Sequence, residues 1–136
     1  MRAAVLVIIL ALVPTPVAVA DIDRAVHASI WAPSKILQSL RGRASYYANG
    51  FEGRETASGE RYDARAMTAA HRTLPLGARV RVVENASRRA VVVRINDRGP
   101  YVRGRDIDLS RRAALMLGIT DRGVADVTLE IVSLPE

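Results

Sequence analysis

From residue 42 onward the sequence is a succession of short period-two runs separated by turn-forming clusters, and that spacing constrains the fold more than any other feature. In "ARVRVVE", Val80 and Val82 fall on one face of a strand and Arg79 and Arg81 on the other. The turn-like "NAS" follows, and then "RRAVVVRI", which reads as the second arm of a β-hairpin. "GRASYYA" alternates and carries β-favouring tyrosines, while the closing "GVADVTLEIVSL" sets Val127, Leu129 and Ile131 against Asp126, Thr128 and Glu130. One helix stands out, "SRRAALML", with Ser110 suited to its N-cap and Gly118 to the position just past its C-terminus. Arg111 and Arg112 fall in its first turn, where the helix dipole disfavours cations, and Asp106 and Asp108 are the acids expected to compensate. Strands this short and close, with one small helix, predict an all-β fold closed into a barrel, because closure removes exposed strand edges. The lack of alternating helices excludes a doubly wound α/β sheet.

The first twenty residues stand apart from that pattern. Met1 and Arg2 form a short basic start, residues 3–13 are unbroken apolar sequence, and Ala18-Val19-Ala20 supplies small residues before Asp21. This is the pattern of a secretory signal peptide cleaved near Ala20. A spanning helix needs roughly 20 apolar residues, so an uncleaved anchor is the weaker reading. The mature chain is therefore expected in the periplasm or cell envelope. Residues 21–41, broken by Pro33, read as a linker; Trp31 is expected to pack it on the domain, and His27 has no acidic or His neighbour at ligand spacing. The domain itself is expected to run from residue 42 to 133.

The chain contains no cysteine, which removes disulfides, thiolate chemistry, cysteine-rich zinc sites and lipid attachment through an N-terminal cysteine. The formal charge is +6 over 136 residues, almost all of the basic side being arginine. In a cytoplasmic protein such a balance would point toward nucleic acid, but export, scattered arginines and the lack of an aromatic platform argue against that partner. Nothing in the sequence specifies an oligomeric state, and a monomer is the default expectation.

Chemistry concentrates in three places. In "VVVRINDRGP", Val91, Val93, Ile95 and Asp97 share one face if the strand persists, so Asp97 would end an interior row at the barrel rim. Desolvation by apolar neighbours raises the pKa of a carboxyl, the property a general acid near neutrality requires. On composition alone a turn is the favoured reading of "NDRGP", since Asn, Asp, Gly and Pro all favour one; the two readings are compatible, because functional residues commonly sit on such loops. Glu60 lies in the Gly/Ser-rich "TASGERYD" and, taken alone, is an exposed surface acid. His71 in "MTAAHRTLP" is the one His of the domain and, taken alone, a hydrogen-bonded structural residue. There is no HExxH or similar spacing, no phosphate-binding glycine loop and no GxSxG elbow, so neither a metal nor another cofactor is expected. Carboxyls with one His suit acid/base work on a glycosidic bond.

"GRASYYANGFEGRETASGERYD", "MTAAHRTLPLGARVRV", "VVVRINDRGPYVRGRDIDLS" and "GVADVTLEI", in unbroken order across residues 42–133, resemble the rare lipoprotein A family of septal-ring-associated lytic transglycosylases. The resemblance implies a six-stranded double-psi β-barrel, shared with expansins, barwin-like proteins and some endoglucanases. It implies cleavage of the β-1,4 bond between N-acetylmuramic acid and N-acetylglucosamine without water, leaving a 1,6-anhydro end; some members prefer glycan stripped of stem peptides. By the same resemblance Asp97 is the catalytic acid, with Glu60 and His71 completing the catalytic set. Thr56, Ser58, Asn96 and Arg98, which flank these positions, are expected to bind the glycan strand.

Two departures from the family pattern bear on partners. Without a lipobox cysteine no lipid anchor is expected, and with Glu136 as the last residue no C-terminal septal peptidoglycan-binding domain is expected. An expansin-like module that binds peptidoglycan without cutting it is the competing function. Hydrolysis is a third, which would need a second carboxylate, Glu60 for instance, about 6.5 to 9.5 Å from the acid to activate water.

Overall fold

The protein is described by a computed structural model over residues 35–136. The expected leader at residues 1–20, His27 and Trp31 lie outside the described residues. Six strands and one helix follow in order: β1 (Gln38–Tyr46), β2 (Thr68–His71), β3 (Arg79–Glu84), β4 (Ala90–Asp97), β5 (Ile107–Leu109), α1 (Arg111–Leu117) and β6 (Ala125–Ser133). They close into a barrel in the order β1-β5-β2-β4-β3-β6. The pairs β1–β5 and β2–β4 are parallel and the rest antiparallel, so the barrel is mixed, as the double-psi fold requires.

The elements with a clear period form as the sequence predicts. β3 and β4 are the expected hairpin, with Val80 opposite Val93 and Val82 opposite Val91. Val127, Leu129 and Ile131 of β6 point inward and are at most 1% exposed. With Ile95, Ile107, Leu109 and Leu117 they fill the barrel interior. Full burial of each such side chain is worth about 1.5–3 kcal/mol, so closure of this core is the main source of stability. β1 opens at Gln38, ahead of the alternating "GRASYYA" run, because residues 38–41 pair with β6 from Gln38 opposite Ile131 to Arg41 opposite Thr128. β2 and β5, four and three residues long, are too short to display a period and exist as strands because each fits between two neighbours.

Helix α1 caps as expected. The Ser110 hydroxyl accepts from the Ala113 amide, and Gly118, at φ 79°, donates its N–H to the carbonyls of Ala114 and Leu115. The acids assigned to compensate its arginines are committed elsewhere, which corrects that expectation. Asp106 pairs with Arg72 and Asp108 with Arg105, because both acids are drawn to cations that face them across the sheet and the β5 approach. Arg111 instead lays its guanidinium over the Tyr46 ring, 5.7 Å from the centroid.

The β3–β4 turn is fixed by a buried acid. Glu84 is 1% exposed; its Oε2 accepts from the Ser87 amide at 2.6 Å and its Oε1 from Arg122 at 2.9 Å. These hydrogen bonds, those from Ser87 first, lower its pKa to about 2.

Candidate active site

β4 does not run straight into Asp97. Thr68 pairs with Arg94 and Ala69 with Ile95, but Ala70 pairs with Asp97, so the ladder skips Asn96 and β4 carries a bulge there. The extra residue rephases the alternation. Asp97 therefore leaves the interior row of Val91, Val93 and Ile95 that simple period-two reading gives it. It shares instead the face of Ala70, which packs with Tyr47 and Tyr62 in a second apolar cluster outside the barrel core. The register extends this row across four strands: Asp97 of β4, Ala70 of β2, Asp108 of β5 and Ser45 of β1.

The Asp97 carboxylate is held on both oxygens. Oδ2 accepts from the Tyr47 hydroxyl at 2.6 Å, and Oδ1 accepts from the backbone amides of Ala57 at 2.9 Å and Arg98 at 2.8 Å. Burial and then the Asp97 carboxylate push the Tyr47 phenol far up from its ordinary value, so it remains a donor throughout the working pH range. Tyr47 stacks on Tyr62 with ring centroids 4.3 Å apart and meets Phe51 at 5.5 Å, which fixes the ring that carries this hydroxyl.

The loop at residues 55–61 reaches the same place. The Ser58 amide donates to the Asn96 carbonyl at 3.0 Å and the Ala57 amide to Asp97, so the loop is pinned to the bulge. The turn from Thr56 to Gly59 closes through a 2.9 Å backbone hydrogen bond, with Gly59 at φ 87°, a conformation that favours glycine and explains the "SGE" spelling. Glu60 then returns over β4 and grips Arg94 with both oxygens, Oε2 at 2.8 Å from Nη2 and Oε1 in close contact with Nη1. The Arg94 hydrogen bonds hold the Glu60 carboxyl below its usual range, and Glu60 in turn raises Arg94.

His71 ends β2, 8% exposed, in register with Ile107. Its Nδ1 accepts from the amides of Thr73 and Leu74, both at 3.1 Å, so the neutral ring carries its proton on Nε2. Burial first, and then Arg72, lower its pKa. Arg98 ties the two halves together: its amide donates to Asp97, while its Nη1 donates to the carbonyls of His71 at 3.1 Å and Leu74 at 2.7 Å.

The structure thus brings Asp97, the Thr56–Ser58–Glu60 loop and Arg98 together directly and links His71 through Arg98. Thr56, 7% exposed, bonds to the Glu60 carbonyl at 2.6 Å and to Ser58 at 3.0 Å, whereas Ser58 and Glu60 are exposed. Asn96 is 3% exposed, and its Oδ1 has no hydrogen-bond partner among the described residues. Sequence reasoning missed Tyr47, Asp108, Ser45 and Arg105. Arg105 donates to Ser45 at 2.6 Å and to Asp108 at 2.8 Å, and the Ser45 hydroxyl contacts Asp108 closely. Only the alternation of "SYYA" and "DIDL" hinted at a common face, and nothing in it specified which strands adjoin. Among the described residues no cluster of three or more metal-ligating side chains occurs.

The profile of a family described as "Lytic transglycolase" matches residues 39–129. A "Probable endolytic peptidoglycan transglycosylase RlpA" of Nostoc sp. is 56% identical over 101 residues, covering 73% of this chain and 27% of the relative. An "Endolytic peptidoglycan transglycosylase RlpA" of Pasteurella multocida is 52% identical over 93 residues, covering 68% of this chain and 32% of the relative. The chain thus spans about a quarter to a third of the length of these curated relatives. Among solved structures, a Streptomyces papain inhibitor superposes with a TM-score of 0.56 at 28% identity, covering 72% of this chain and 97% of its own. An expansin of Clavibacter michiganensis superposes with a TM-score of 0.57 at 22% identity, covering 73% and 52%, a likeness of fold.

Proposed function

The chain belongs to the lytic transglycolase family of six-stranded double-psi β-barrels, and from that premise we propose that it cleaves the β-1,4 bond between N-acetylmuramic acid and N-acetylglucosamine in peptidoglycan, leaving 1,6-anhydro ends. The observation that carries the reading is the Asp97 carboxyl, raised out of the core row by the Asn96 bulge and aimed by Tyr47, Ala57 and Arg98.

In this mechanism Asp97, protonated, gives its proton to the glycosidic oxygen as the bond from the muramic C1 breaks. The resulting carboxylate then takes the proton of the muramic C6 hydroxyl as that oxygen bonds to C1 and closes the anhydro ring. The proton lost in the first half is recovered in the second, and no water is consumed. The Tyr47 hydroxyl and the two amides stabilise the carboxylate between these halves. Glu60, clamped by Arg94, holds the loop whose Ala57 amide reaches Asp97, and Ser58 and Glu60 offer exposed polar groups to the strand. His71, neutral, fixes the turn at residues 71–74 against which Arg98 is anchored. The leader pattern expected from the sequence of residues 1–20 favours action in the periplasm or cell envelope, on peptidoglycan glycan strands as partner.

Mass spectrometry of purified sacculi incubated with the protein tests the reading. Anhydro-muropeptides are expected. Reducing-end products would replace it by hydrolysis, and retention on sacculi with no product would replace it by an expansin-like binding role.

A further inference from the structure

Among the described residues Tyr46, Tyr47, Phe51 and Tyr62 are buried or half-buried, and Tyr101 alone of the aromatic side chains is exposed, at 78%. Val102, 53% exposed, extends its apolar surface. Exposed apolar groups are common on protein surfaces, so exposure by itself assigns nothing. Tyr101 is distinguished by how firmly its backbone is held and how near it lies to Asp97.

The loop that carries Tyr101 is pinned on both sides of it. Before it, Arg98 Nη1 donates to the carbonyls of His71 at 3.1 Å and Leu74 at 2.7 Å. Around it, Arg72 donates to the carbonyls of Pro100 at 3.0 Å and Arg105 at 2.6 Å, and to the Asp106 carboxylate at 2.9 Å. The Arg105 amide closes the turn on the Val102 carbonyl at 3.2 Å. The anchors from Arg98 and Arg72 meet at residues 71–74, which leaves the Tyr101 ring on the solvent side of a fixed loop.

Gly99 keeps that ring close to the site. At φ 116° it takes a conformation that favours glycine, and a Cβ there would meet the Tyr101 ring at 3.7 Å, so the ring lies against Gly99. Successive Cα atoms are about 3.8 Å apart, which puts the near edge of the ring within about 13 Å of the Asp97 Cα. No side chain of the linking segment rises between them. Arg98 is turned toward the His71 and Leu74 carbonyls, Gly99 has none, and Pro100 is buried, whereas Asp97 is itself half-exposed.

We propose that the Tyr101 ring is a platform on which one sugar of the glycan strand stacks while a nearby linkage lies at Asp97. This rests on the reading of the protein as a peptidoglycan-cleaving enzyme. In a β-1,4-linked hexosamine strand the ring substituents are equatorial, so each sugar has an apolar C–H face. A tyrosine covers such a face with a large, rigid surface at little conformational cost. Both sugars of the strand offer it, so the platform reads the sugar backbone rather than the lactyl group or a stem peptide. Contact of this kind holds the substrate equally before and during bond breaking, and it acts on affinity rather than on the chemical step.

Affinity is measured with the Asp97→Asn chain for chitin oligosaccharides and for soluble glycan strands from peptidoglycan, and turnover with the cleaving chain on the same strands. Tyr101→Ala should weaken both ligands about tenfold and raise KM by a similar factor with kcat nearly unchanged. Tyr101→Phe, which keeps the ring face, should bind as the parent does. Tyr101→Trp should also bind, and its emission should change on adding chitin oligosaccharide, read against the parent chain, whose one Trp is Trp31. A merely structural role would give no such contact signal. Unchanged affinity and KM in Tyr101→Ala, folded by its thermal transition, or Tyr101→Trp emission unmoved by saturating saccharide, overturns the platform while cleavage at Asp97 stands. Should Tyr101→Ala not fold, the Tyr101→Trp emission decides alone. A loss confined to peptidoglycan strands, with chitin oligosaccharides unaffected, also overturns it, because the recognised group would then not be the sugar face. If the parent chain binds neither ligand and wild-type protein releases no product, both readings fall.

Discussion

The Tyr47 hydroxyl donates to Oδ2 of Asp97 at 2.6 Å, tying the first residue beyond β1 to the last residue of β4. Tyr47 is buried and its phenol keeps its proton, so this donor is permanent. A hydrogen bond to a charged group is worth about 1.5–3 kcal/mol, and this one acts on the carboxylate formed midway through the reaction. Tyr47→Phe should lower kcat about 10- to 100-fold with little change in glycan affinity. Unchanged turnover of anhydro-product would remove Tyr47 from the mechanism.

Asp97→Asn should abolish cleavage and leave the fold intact. The amide oxygen can keep the Ala57 and Arg98 amides, and its NH₂ can donate to the Tyr47 oxygen, so the hydrogen bonds around the bulge survive. An amide does not give and recover a proton near neutrality, and general acid/base catalysis is typically worth about 100- to 10,000-fold. Product release within a few-fold of wild type by a protein with a normal thermal transition would reduce Asp97 to a turn residue.

Glu60 is held below the usual carboxylate range by Arg94, so it is ionised at working pH and does not donate the proton. Its pair is partly exposed, with side-chain exposures of 46% and 34%, so the fold gains little from it, about 0–1 kcal/mol. Glu60→Gln should shift the unfolding midpoint only slightly, yet reduce turnover by loosening the loop that supplies the Ala57 amide. Arg94→Gln should produce the same defect, and the double variant no more than either single one. Additive losses in that double-mutant cycle would separate the two residues.

At His71 the imidazole accepts two backbone amides. His71→Ala leaves those amides without their acceptor and should cost about 1–3 kcal/mol, whereas His71→Asn, whose side-chain oxygen can replace Nδ1, should recover most of it. The pH dependence has a definite sign. Burial lowers the folded-state pKa below the unfolded value of about 6.5, so the unfolded chain binds more protons in between. The contribution is complete above about pH 6.5 and is lost as pH falls through the lower folded value. Denaturant midpoints of His71→Asn should therefore fall less than those of wild type between pH 7 and 5; parallel curves would show that His71 does not titrate with folding.

Glu84 gives acid sensitivity further down. Its pKa of about 2 lies below the unfolded value of about 4.3, so its stabilisation is present above about pH 4.3 and disappears as pH approaches 2. Glu84→Gln should be less stable than wild type at pH 7 and converge with it near pH 2. A constant gap across that range would mean that the charge of Glu84 is irrelevant to the turn.

Legibility in the sequence followed length and period. β3, β4 and β6 are long enough for alternation to show, and α1 announces itself through Ser110 and Gly118. "TAAH" and "IDL" carry no comparable signal; they are strands because β2 and β5 each lie between two partners that fill their hydrogen bonds. Asp106 pairs away from α1 for a related reason. Nearness in sequence to α1 is one-dimensional, and Arg72, which binds Asp106, is 34 residues away.

The sequence alone determined strands β1, β3, β4 and β6, the hairpin, the helix and its caps, because periodicity and capping are local properties of neighbouring residues. Through its motifs it also determined the resemblance that named Asp97, Glu60 and His71. Tertiary structure decided which face Asp97 takes, since one bulged residue at Asn96 reverses the alternation and no local pattern encodes a ladder that skips a position. It also decided that Tyr47, Ala57 and Arg98 converge on that carboxylate, and that Ser45 and Asp108 continue its row. Apart from that of the Arg98 amide, the next residue in the chain, these contacts join segments distant in sequence, which only closure of the barrel brings together.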